Sequence, residues 1–447
     1  MWTAVTEAVS RRAHRTRGPR LPPGPDWPAP VQVGLWLFRP FELLTHCRRR
    51  FGPTFTMHVA RWDQVVVVSE PDAIREVFTG PTDVMHAGPA NDLIRPVVGE
   101  GSLLLLDGER HVRERRLLMP PFHGERMSRY GEVMREITLR EMERWPVGAP
   151  LAIHGPMQSI TLDVILRTVF GVDEGAELDA LRAAIVDLTN GFNAFNMVQA
   201  LRRDLGPRSP WGAFVRRRDA VDALLYQVIR ARRAEGDSGR DDVMTLLTSA
   251  RYEDGAAMDD RALRDELMTL LAAGHETTAT ALPWTLHELA LRPEVQARVH
   301  DELDAGGHAY LDAVIKETMR LHPVISAIGR VLQRPHSVAG WDLPAGTLVS
   351  PSIYLAHRDP VAWPDPERFD PTRFLDARIS PYAYLPFGGG ARRCIGMAFA
   401  LYEMRVVLAT MLARFRVRPA PGVRIRPRRR GVSMAPSDGM PLVLARR

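Results

Sequence analysis

The chain has 447 residues, of which 45% are hydrophobic and 25% are charged, and its formal net charge at pH 7 is +6. This composition is typical of a globular protein with a sizeable core and excludes a largely disordered chain. No run of about 18 apolar residues occurs, so we expect no membrane-spanning helix. Two cysteines, Cys47 and Cys394, are too few for a disulfide framework, which favours a reducing compartment such as the cytoplasm.

The first 20 residues contain five arginines and a single acidic residue, Glu7. A mitochondrial transit peptide can have such a composition. No apolar face develops here, however, so we predict a flexible, arginine-rich N-terminus over residues 1–20. No linker or internal repeat interrupts the rest, which predicts one domain over residues 21–447. Further arginine clusters carry no nucleic-acid-binding motif, and we therefore expect an acidic protein partner and no nucleic acid.

The pattern along the rest of the chain is mainly α-helical. β-Branched residues within 55–68 predict a small antiparallel hairpin, and a second hairpin is predicted over residues 341–349. Glycines and prolines within 85–106 predict an irregular segment that faces a ligand. The predicted helices cover residues 41–51, 72–78, most of 130–247, 259–291, 293–303, 310–321 and 397–412, and one begins after Asp107, a good N-cap residue.

The long helical segment has an unusual middle, where a glycine and three threonines replace strong helix formers. Thr277 can donate a hydrogen bond to the carbonyl of Ala273, which bends a helix and opens its backbone ladder. The opening would leave room for a diatomic ligand beside this hydroxyl and the carboxyl of Glu276. The alternative is a polar face on an ordinary core helix, and we predict a structural role for His275.

Residues 386–397 read Pro-Phe-Gly-Gly-Gly-Ala-Arg-Arg-Cys-Ile-Gly-Met and precede an amphipathic helix. Cys394 would lie at the N-terminus of that helix, where the helix dipole favours a thiolate over a thiol. A thiolate beside glycine-rich backbone suits an axial ligand of haem iron, and Arg392 is placed to pair with an acidic group of the ring. The alternative is a glycine-rich turn that contains an incidental cysteine.

These segments resemble those of the cytochromes P450. The haem-thiolate signature of that family is matched at Phe387, Gly390, Arg392, Cys394 and Gly396. Two further motifs are matched, one at Ala273, Gly274, Glu276 and Thr277, and one at Glu317 and Arg320. The resemblance covers roughly residues 21–447 with the motifs in the expected order. It implies a mainly α-helical cytochrome P450 fold with a small β-sheet region around one haem b.

The resemblance also implies roles for individual residues. Cys394 would bind the haem iron, and Thr277 and Glu276 would be catalytic because they deliver protons. Glu317, Arg320 and Arg368 would form a buried structural network. The remaining haem contacts would come from His111, Arg115, Arg330, Phe387, Gly388, Arg392, Gly396 and Ala273. The substrate pocket would be lined by Leu270, Val324, Ile325, Ile328 and Met434, with Phe192, Phe195 and Met197 in its roof.

The implied activity is that of a monooxygenase, which inserts one oxygen atom of O₂ into a hydrophobic small molecule such as a fatty acid, an alkane or a terpenoid. Electrons would come from NAD(P)H through a separate redox partner, a ferredoxin or a flavodoxin. We expect that acidic partner to dock on outward-facing arginines such as Arg113 and Arg116. We also expect a monomer. The alternatives are a peroxygenase or an isomerase or dehydratase of the same fold, and a non-catalytic haem carrier or gas sensor.

Overall fold

The computed structural model describes residues 21–59, 62–122, 126–172, 175–191, 202–203, 205–206, 209–236, 239–376 and 378–447. Within these ranges the chain is mainly helical with four small sheets, which confirms the predicted fold class. The predicted flexible N-terminus and the pocket residues Phe192, Phe195 and Met197 lie outside the described residues. None of the described helices is long and apolar enough to cross a membrane.

Proline begins several of the helices, because its fixed φ suits the first helical position and its missing N–H group needs no partner there. The longest helix is instead capped by Asp259, whose side chain accepts a hydrogen bond of 2.7 Å from the backbone N–H of Ala262. The helices are α1 (Ala29–Phe38), α2 (Pro40–Phe51), α3 (Pro71–Thr79), α4 (Gly88–Asn91), α5 (Arg95–Val98), α6 (Gly108–Leu118), α7 (Arg126–Met142), α8 (His154–Thr168), α9 (Ala176–Gly191), α10 (Pro210–Glu235), α11 (Val243–Ser249), α12 (Asp260–Leu291), α13 (Pro293–Asp304), α14 (Ala309–Leu321), α15 (Ile353–Ala356) and α16 (Met397–Leu412).

The strands are short and mostly antiparallel. They are β1 (Thr54–Val59), β2 (Trp62–Val68), β3 (Met85–His86), β4 (Pro150–Ala152), β5 (Arg330–Leu332), β6 (His336–Val338), β7 (Trp341–Leu343), β8 (Leu348–Pro351), β9 (Phe415–Pro419), β10 (Pro427–Arg430), β11 (Ser433–Pro436) and β12 (Pro441–Arg446). They form a five-stranded sheet in the order β1-β2-β8-β5-β3, a three-stranded sheet in the order β4-β12-β9, and the pairs β6-β7 and β10-β11. The predicted hairpin within 55–68 is confirmed, because β1 and β2 are antiparallel neighbours.

The contacts within the chain group its residues into two compact units, and the single domain expected over residues 21–447 stays a prediction. The first unit comprises residues 1–91, 325–368 and 378–393. Its core forms where α3 buries Ile74, Val77 and Phe78 together with the buried side chains of the five-stranded sheet.

The second unit comprises residues 92–324, 369–377 and 394–447 and is organised around α12. This helix packs against α8, α14, α16, β9 and β11. Residues 263–271 and 278–286 of α12 are all buried, so other elements cover the helix on both sides of its middle.

Two predictions about secondary structure were wrong in detail. Residues 341–349 do not form one hairpin, because β7 pairs with the preceding β6 and β8 instead runs parallel to β2. The turn lies upstream of Trp341, where Ala339 and Gly340 both have positive φ, at 53° and 75°, as the tightest hairpin turns require. Residues 85–106, predicted to be irregular, contain β3, α4 and α5.

Candidate functional site

The middle of α12 is open on one side. Ala272 and Ala273 are exposed between two stretches in which every residue is buried. The hydroxyl of Thr277 donates a hydrogen bond of 2.6 Å to the carbonyl of Ala273, as predicted from the sequence. The opposite side is tight, because a Cβ atom on Gly274 would lie 2.9 Å from Cδ1 of Ile165 in α8. Small residues therefore leave space on one face and permit close packing on the other.

Glu276 lies among polar groups from α8 and β10. Its Oε2 atom accepts a hydrogen bond of 2.9 Å from Nε2 of Gln158. Its Oε1 atom lies 3.6 Å from Nε of Arg430 and 4.0 Å from Nε2 of His154. Burial raises the pKa of the Glu276 carboxyl, while the Arg430 guanidinium and the hydrogen bond from Gln158 act in the opposite direction. The carboxyl is therefore a weaker acid than an exposed glutamate, as proton delivery near neutral pH requires.

The neighbouring histidine points toward α8. Nδ1 of His275 lies 2.9 Å from the hydroxyl of Thr161, and the imidazole is buried. Burial, together with the positive charge of Arg430, lowers the pKa of His275 to about 4. The ring is therefore neutral at pH 7, and its contacts are those of a buried side chain that joins two helices.

Cys394 is exposed immediately before α16. Gly396 occupies the N-cap position, and a Cβ atom there would lie 4.0 Å from the sulfur of Cys394. The thiol thus lies beside the first turn of a helix, where unpaired N–H groups favour negative charge. Burial lowers the pKa of Arg115, and negative charge on Cys394 acts against that shift. The second unit therefore brings a cysteine and a guanidinium within electrostatic reach.

The helix α6 presents two different faces. His111 is buried and Arg115 is half-buried, and the two side chains lie one helical turn apart. Arg113 and Arg116 are exposed, as predicted, but each has an acidic partner. Nη2 of Arg113 lies 2.9 Å from Oδ2 of Asp254, and the guanidinium of Arg116 pairs with the carboxylate of Glu253. The exposed face of α6 is therefore less positive than its sequence suggests.

Two predicted pocket residues of the second unit, Val324 and Met434, meet at β11. Met434 is buried, and its backbone N–H donates a hydrogen bond of 2.8 Å to the carbonyl of Val324. Its carbonyl accepts a hydrogen bond of 3.1 Å from the indole of Trp284 in α12. Leu270, on α12, is also buried. These bonds hold β11 against the same helix that carries Glu276 and Thr277.

The first unit carries the glycine-rich part of the cysteine segment. Gly388 and Gly390 have positive φ, at 65° and 64°. A Cβ atom on Gly390 would lie 2.2 Å from the carbonyl oxygen of Phe78, so only glycine fits there. Arg330 is buried and donates a hydrogen bond of 2.8 Å to the carbonyl of Gly329. The other predicted site residues of this unit are Ile325, Ile328 and Phe387, which are half-buried, and Arg392.

Glu317 and Arg320 form the predicted pair in α14. Both side chains are fully buried, and two hydrogen bonds of 2.7 and 2.8 Å join them. Oε1 of Glu317 also accepts a hydrogen bond of 2.8 Å from the backbone N–H of Asp370. The same oxygen lies 3.6 Å from Nε of Arg373. We did not predict Arg373, which lies in the short turn after Asp370. The role of Arg368, an exposed residue of the first unit, stays a prediction.

Sequence reasoning also missed a buried acid in α16. Glu403 is fully buried, and burial raises its pKa well above the usual range, against a hydrogen bond from Thr278. Its only signal in the sequence is a carboxyl group on the apolar side of an amphipathic helix. Gln158, His154 and Arg430 were also missed, because they meet Glu276 only in the folded chain.

Comparisons with known proteins agree on one family. The sequence profile described as Cytochrome P450 matches residues 22–443. A protein of Mycobacterium tuberculosis named cytochrome P450 135B1 is 43% identical over 426 residues, which are 94% of this chain and 90% of that protein. Another from the same organism, named cytochrome P450 138, is 39% identical over 96% of this chain and 97% of its own length. These names give no substrate.

Solved structures show the same fold. The structure of cyanobacterial CYP120A1 with retinoic acid bound has a TM-score of 0.84 and 26% identity, and it covers 96% of this chain and 100% of that chain. The haem domain of cytochrome P450DA has a TM-score of 0.83 at 24% identity and covers 96% of this chain and 99% of that chain. The agreement extends across nearly the whole length of each protein.

Proposed function

Because the chain belongs to the cytochrome P450 family, we propose that it is a haem-thiolate monooxygenase acting on a hydrophobic small molecule. The observation that carries this proposal is Cys394, an exposed thiol beside the first turn of α16. A thiolate at such a position is the iron ligand that favours O–O cleavage over reversible O₂ binding.

The residues of the second unit fit a haem. Exposed alanines in the middle of an otherwise buried helix give a flat group an apolar face to lie against. Cys394 would supply the iron ligand. Arg115 lies within electrostatic reach of Cys394 and, together with His111, would pair with a haem propionate. Arg330, Phe387, Gly388 and Arg392 belong to the first unit, and their roles stay predictions.

When bound, the haem would supply the redox chemistry that activates O₂ and transfers one of its oxygen atoms to a C–H bond. The chain itself would position protons and substrate. Glu276 would hold a proton close to the open middle of α12, and the hydroxyl of Thr277 would pass it on. The bond between Thr277 and the Ala273 carbonyl keeps that hydroxyl beside the exposed alanines. This acid and alcohol pair supports a monooxygenase over a peroxygenase, which has no need of a proton relay.

We propose an apolar substrate, because Leu270 and Met434 are buried apolar side chains and the carbonyl of Val324 accepts a hydrogen bond from the backbone of Met434. Fatty acids, alkanes and terpenoids remain the candidate classes. Retinoic acid, which the related CYP120A1 binds, supports including isoprenoid acids among them. Titrating the ferric protein with one member of each class and following the change in iron spin state would rank these classes.

We further propose that electrons reach the haem from a separate ferredoxin or flavodoxin. The chain provides exposed arginines on α6 that an acidic donor could approach. The partner acids Glu253 and Asp254 would reduce that attraction without removing it. A monomeric state and a cytoplasmic location also stay predictions.

The proposal is tested by the spectrum of the reduced protein with carbon monoxide. We expect the strongly red-shifted Soret band of a thiolate-ligated haem, and we expect Cys394→Ser to lose this band. As a control, Cys47→Ser should retain it, because Cys47 is buried and burial raises the pKa of its thiol to about 12. A red-shifted band in Cys394→Ser would remove Cys394 from this role. Turnover that needs neither NAD(P)H nor O₂ would favour an isomerase or dehydratase instead.

A further inference from the structure

Two buried polar atoms in the second unit face each other across a short gap. They are Oε1 of Glu276 and Nε2 of His154, 4.0 Å apart. Among the described residues neither atom has a hydrogen-bond partner. A separation of 4.0 Å is too long for a hydrogen bond, yet one water molecule can bridge it with two bonds of about 2.9 Å. Leaving both atoms unpaired would be costly, so a bridging group is expected.

Arg430 reaches the same carboxylate oxygen, and two further hydroxyls lie at neighbouring positions of the same helix and strand pair. Nε of Arg430 lies 3.6 Å from the same carboxylate oxygen, so a third element reaches this gap. Thr280 is one helical turn beyond Glu276 on α12, and Ser433 is the cross-strand neighbour of Arg430. Within the described chain, the buried hydroxyls of both residues also lack a partner. A buried water makes two to four hydrogen bonds to such groups.

We propose that His154, Glu276 and Arg430 hold an ordered water molecule, and that protons enter from solvent through this water to reach Glu276. The carboxylate and guanidinium give the site polar partners on two sides, and the imidazole supplies the third. The side chain of Arg430 is 40% exposed, whereas those of His154 and Glu276 are 6% and 18% exposed. Arg430 therefore marks the solvent end of the path and Glu276 the buried end.

The charge states of the groups around Glu276 determine which hydrogen bonds this water can form. The titratable or charged groups that face it are His154 on α8, His275 on α12 itself and Arg430 on β10. Burial lowers the pKa values of both histidines to about 4, so they are neutral at pH 7. Arg430 is then the only positive charge among these groups. Nε2 of a neutral imidazole can donate or accept a hydrogen bond, depending on the tautomer. The water can therefore link the imidazole to the Glu276 carboxyl whether that carboxyl is protonated or ionised.

The role in proton delivery rests on the proposed function, but the water site can be tested without turnover. The pH at which Glu276 gains its proton can be followed from the infrared carbonyl band of its carboxylic acid, identified by its loss in Glu276→Gln. His154→Leu keeps the bulk of the ring and removes its hydrogen-bonding atoms. We expect it to raise the midpoint by about one pH unit, because the water loses one of its anchors to the carboxylate.

Matched control variants show whether a change in the midpoint is specific to His154. His154→Gln retains an N–H group at a similar distance and should keep the parental midpoint. His287→Leu removes a half-buried, neutral histidine of α12, eleven residues beyond Glu276, and should also leave the midpoint unchanged. If His154→Leu fails to fold, His154→Phe keeps an aromatic ring without hydrogen-bonding atoms, and it should raise the midpoint as well.

A crystal structure provides the second measurement. We expect water density within about 3.2 Å of both His154 Nε2 and Glu276 Oε1. In the holoenzyme, His154→Leu should form less product per NAD(P)H consumed, and His154→Gln should restore that yield. A parental midpoint in His154→Leu, or in His154→Phe where His154→Leu does not fold, would overturn the proposal, and so would direct contact between imidazole and carboxylate. Loss of the red-shifted carbon monoxide band would instead count against the proposed function, since the titration does not depend on it.

Discussion

At the scale of single residues, Thr277 is the side chain whose replacement separates catalysis from binding most cleanly. Its hydroxyl donates to the Ala273 carbonyl, and it adjoins the half-buried acid Glu276 in the chain. We expect Thr277→Ala to retain haem and substrate binding while diverting NAD(P)H into peroxide, because positioned proton transfer contributes about 10²- to 10⁴-fold. Thr277→Ser, which keeps the hydroxyl, is the control. Equal product yield per NAD(P)H in Thr277→Ala and the parent would rule out this role.

Buried histidines give a second prediction at this scale. Burial lowers the pKa of His275 to about 4, whereas an unfolded histidine titrates near 6.5. Between these values the unfolded chain binds a proton that the native chain does not, so the free energy of unfolding falls as the pH falls. For this one residue, the decrease in the free energy of unfolding reaches about 3 kcal/mol below pH 4.

The measurement is urea unfolding at several pH values. His275→Asn can keep the bond to Thr161 without a group that titrates in this range. We expect its free energy of unfolding to depend less steeply on pH between about 6.5 and 4 than that of the parent. The difference between the two proteins isolates His275 from the buried acids, whose raised pKa values act with the opposite sign. Parallel pH profiles would show that His275 is charged in the native state.

At the scale of structural elements, α14 depends on the ion pair between Glu317 and Arg320. Both side chains are fully buried, and the pair is joined by two hydrogen bonds. Removing one member of such a pair leaves a buried charge without its partner, which costs about 3–5 kcal/mol. We therefore expect Glu317→Gln to lower the free energy of unfolding by that amount, measured by urea denaturation.

An exposed ion pair provides the comparison for this prediction. Arg334 and Asp83 lie 2.8 Å apart on the surface, with side chains that are 60% and 64% exposed. Asp83→Asn should change the free energy of unfolding by less than about 0.5 kcal/mol. If both substitutions have equally small effects, Glu317 is compensated by other groups and does not hold α14 in place.

At the scale of the whole molecule, the charge on the exposed face of α6 sets the expected interaction with an electron donor. Glu253 and Asp254 partly neutralise Arg116 and Arg113. Replacing both acids by their amides should therefore speed reduction by an acidic ferredoxin at low salt, and replacing both arginines by glutamate should slow it. The rates should converge at 1 M salt, where the Debye length falls to about 3 Å from about 10 Å at 0.1 M.

Stopped-flow reduction of the haem over a salt series measures this effect. Peroxide-driven turnover, which needs no donor, should be unchanged in all variants and serves as the control. Equal rates for the two sets of variants at low salt would place the donor on another surface. A rate that rises with added salt would exclude an acidic donor.

The sequence by itself determined the features that depend on neighbours along the chain. The back-bond from Thr277, the pair of Glu317 with Arg320, and the position of Cys394 before a helix all follow from spacings of a few residues. Helical geometry places such residues together wherever the helix lies. The family motifs are also contiguous, which is why the fold class could be predicted from them.

Tertiary structure alone decided which distant groups meet. Gln158 and Arg430 lie 118 and 154 residues from Glu276 along the chain, and Asp254 lies 141 residues from Arg113. No local pattern encodes such pairs, because strand pairing and helix packing bring them together only when the core forms. The pairing of β7 with β6 was missed for a related reason, since the turn at Ala339 and Gly340 lay outside the predicted hairpin. The charge state of Glu276 and the net charge of the α6 surface therefore belong to the fold, although every residue involved is visible in the sequence.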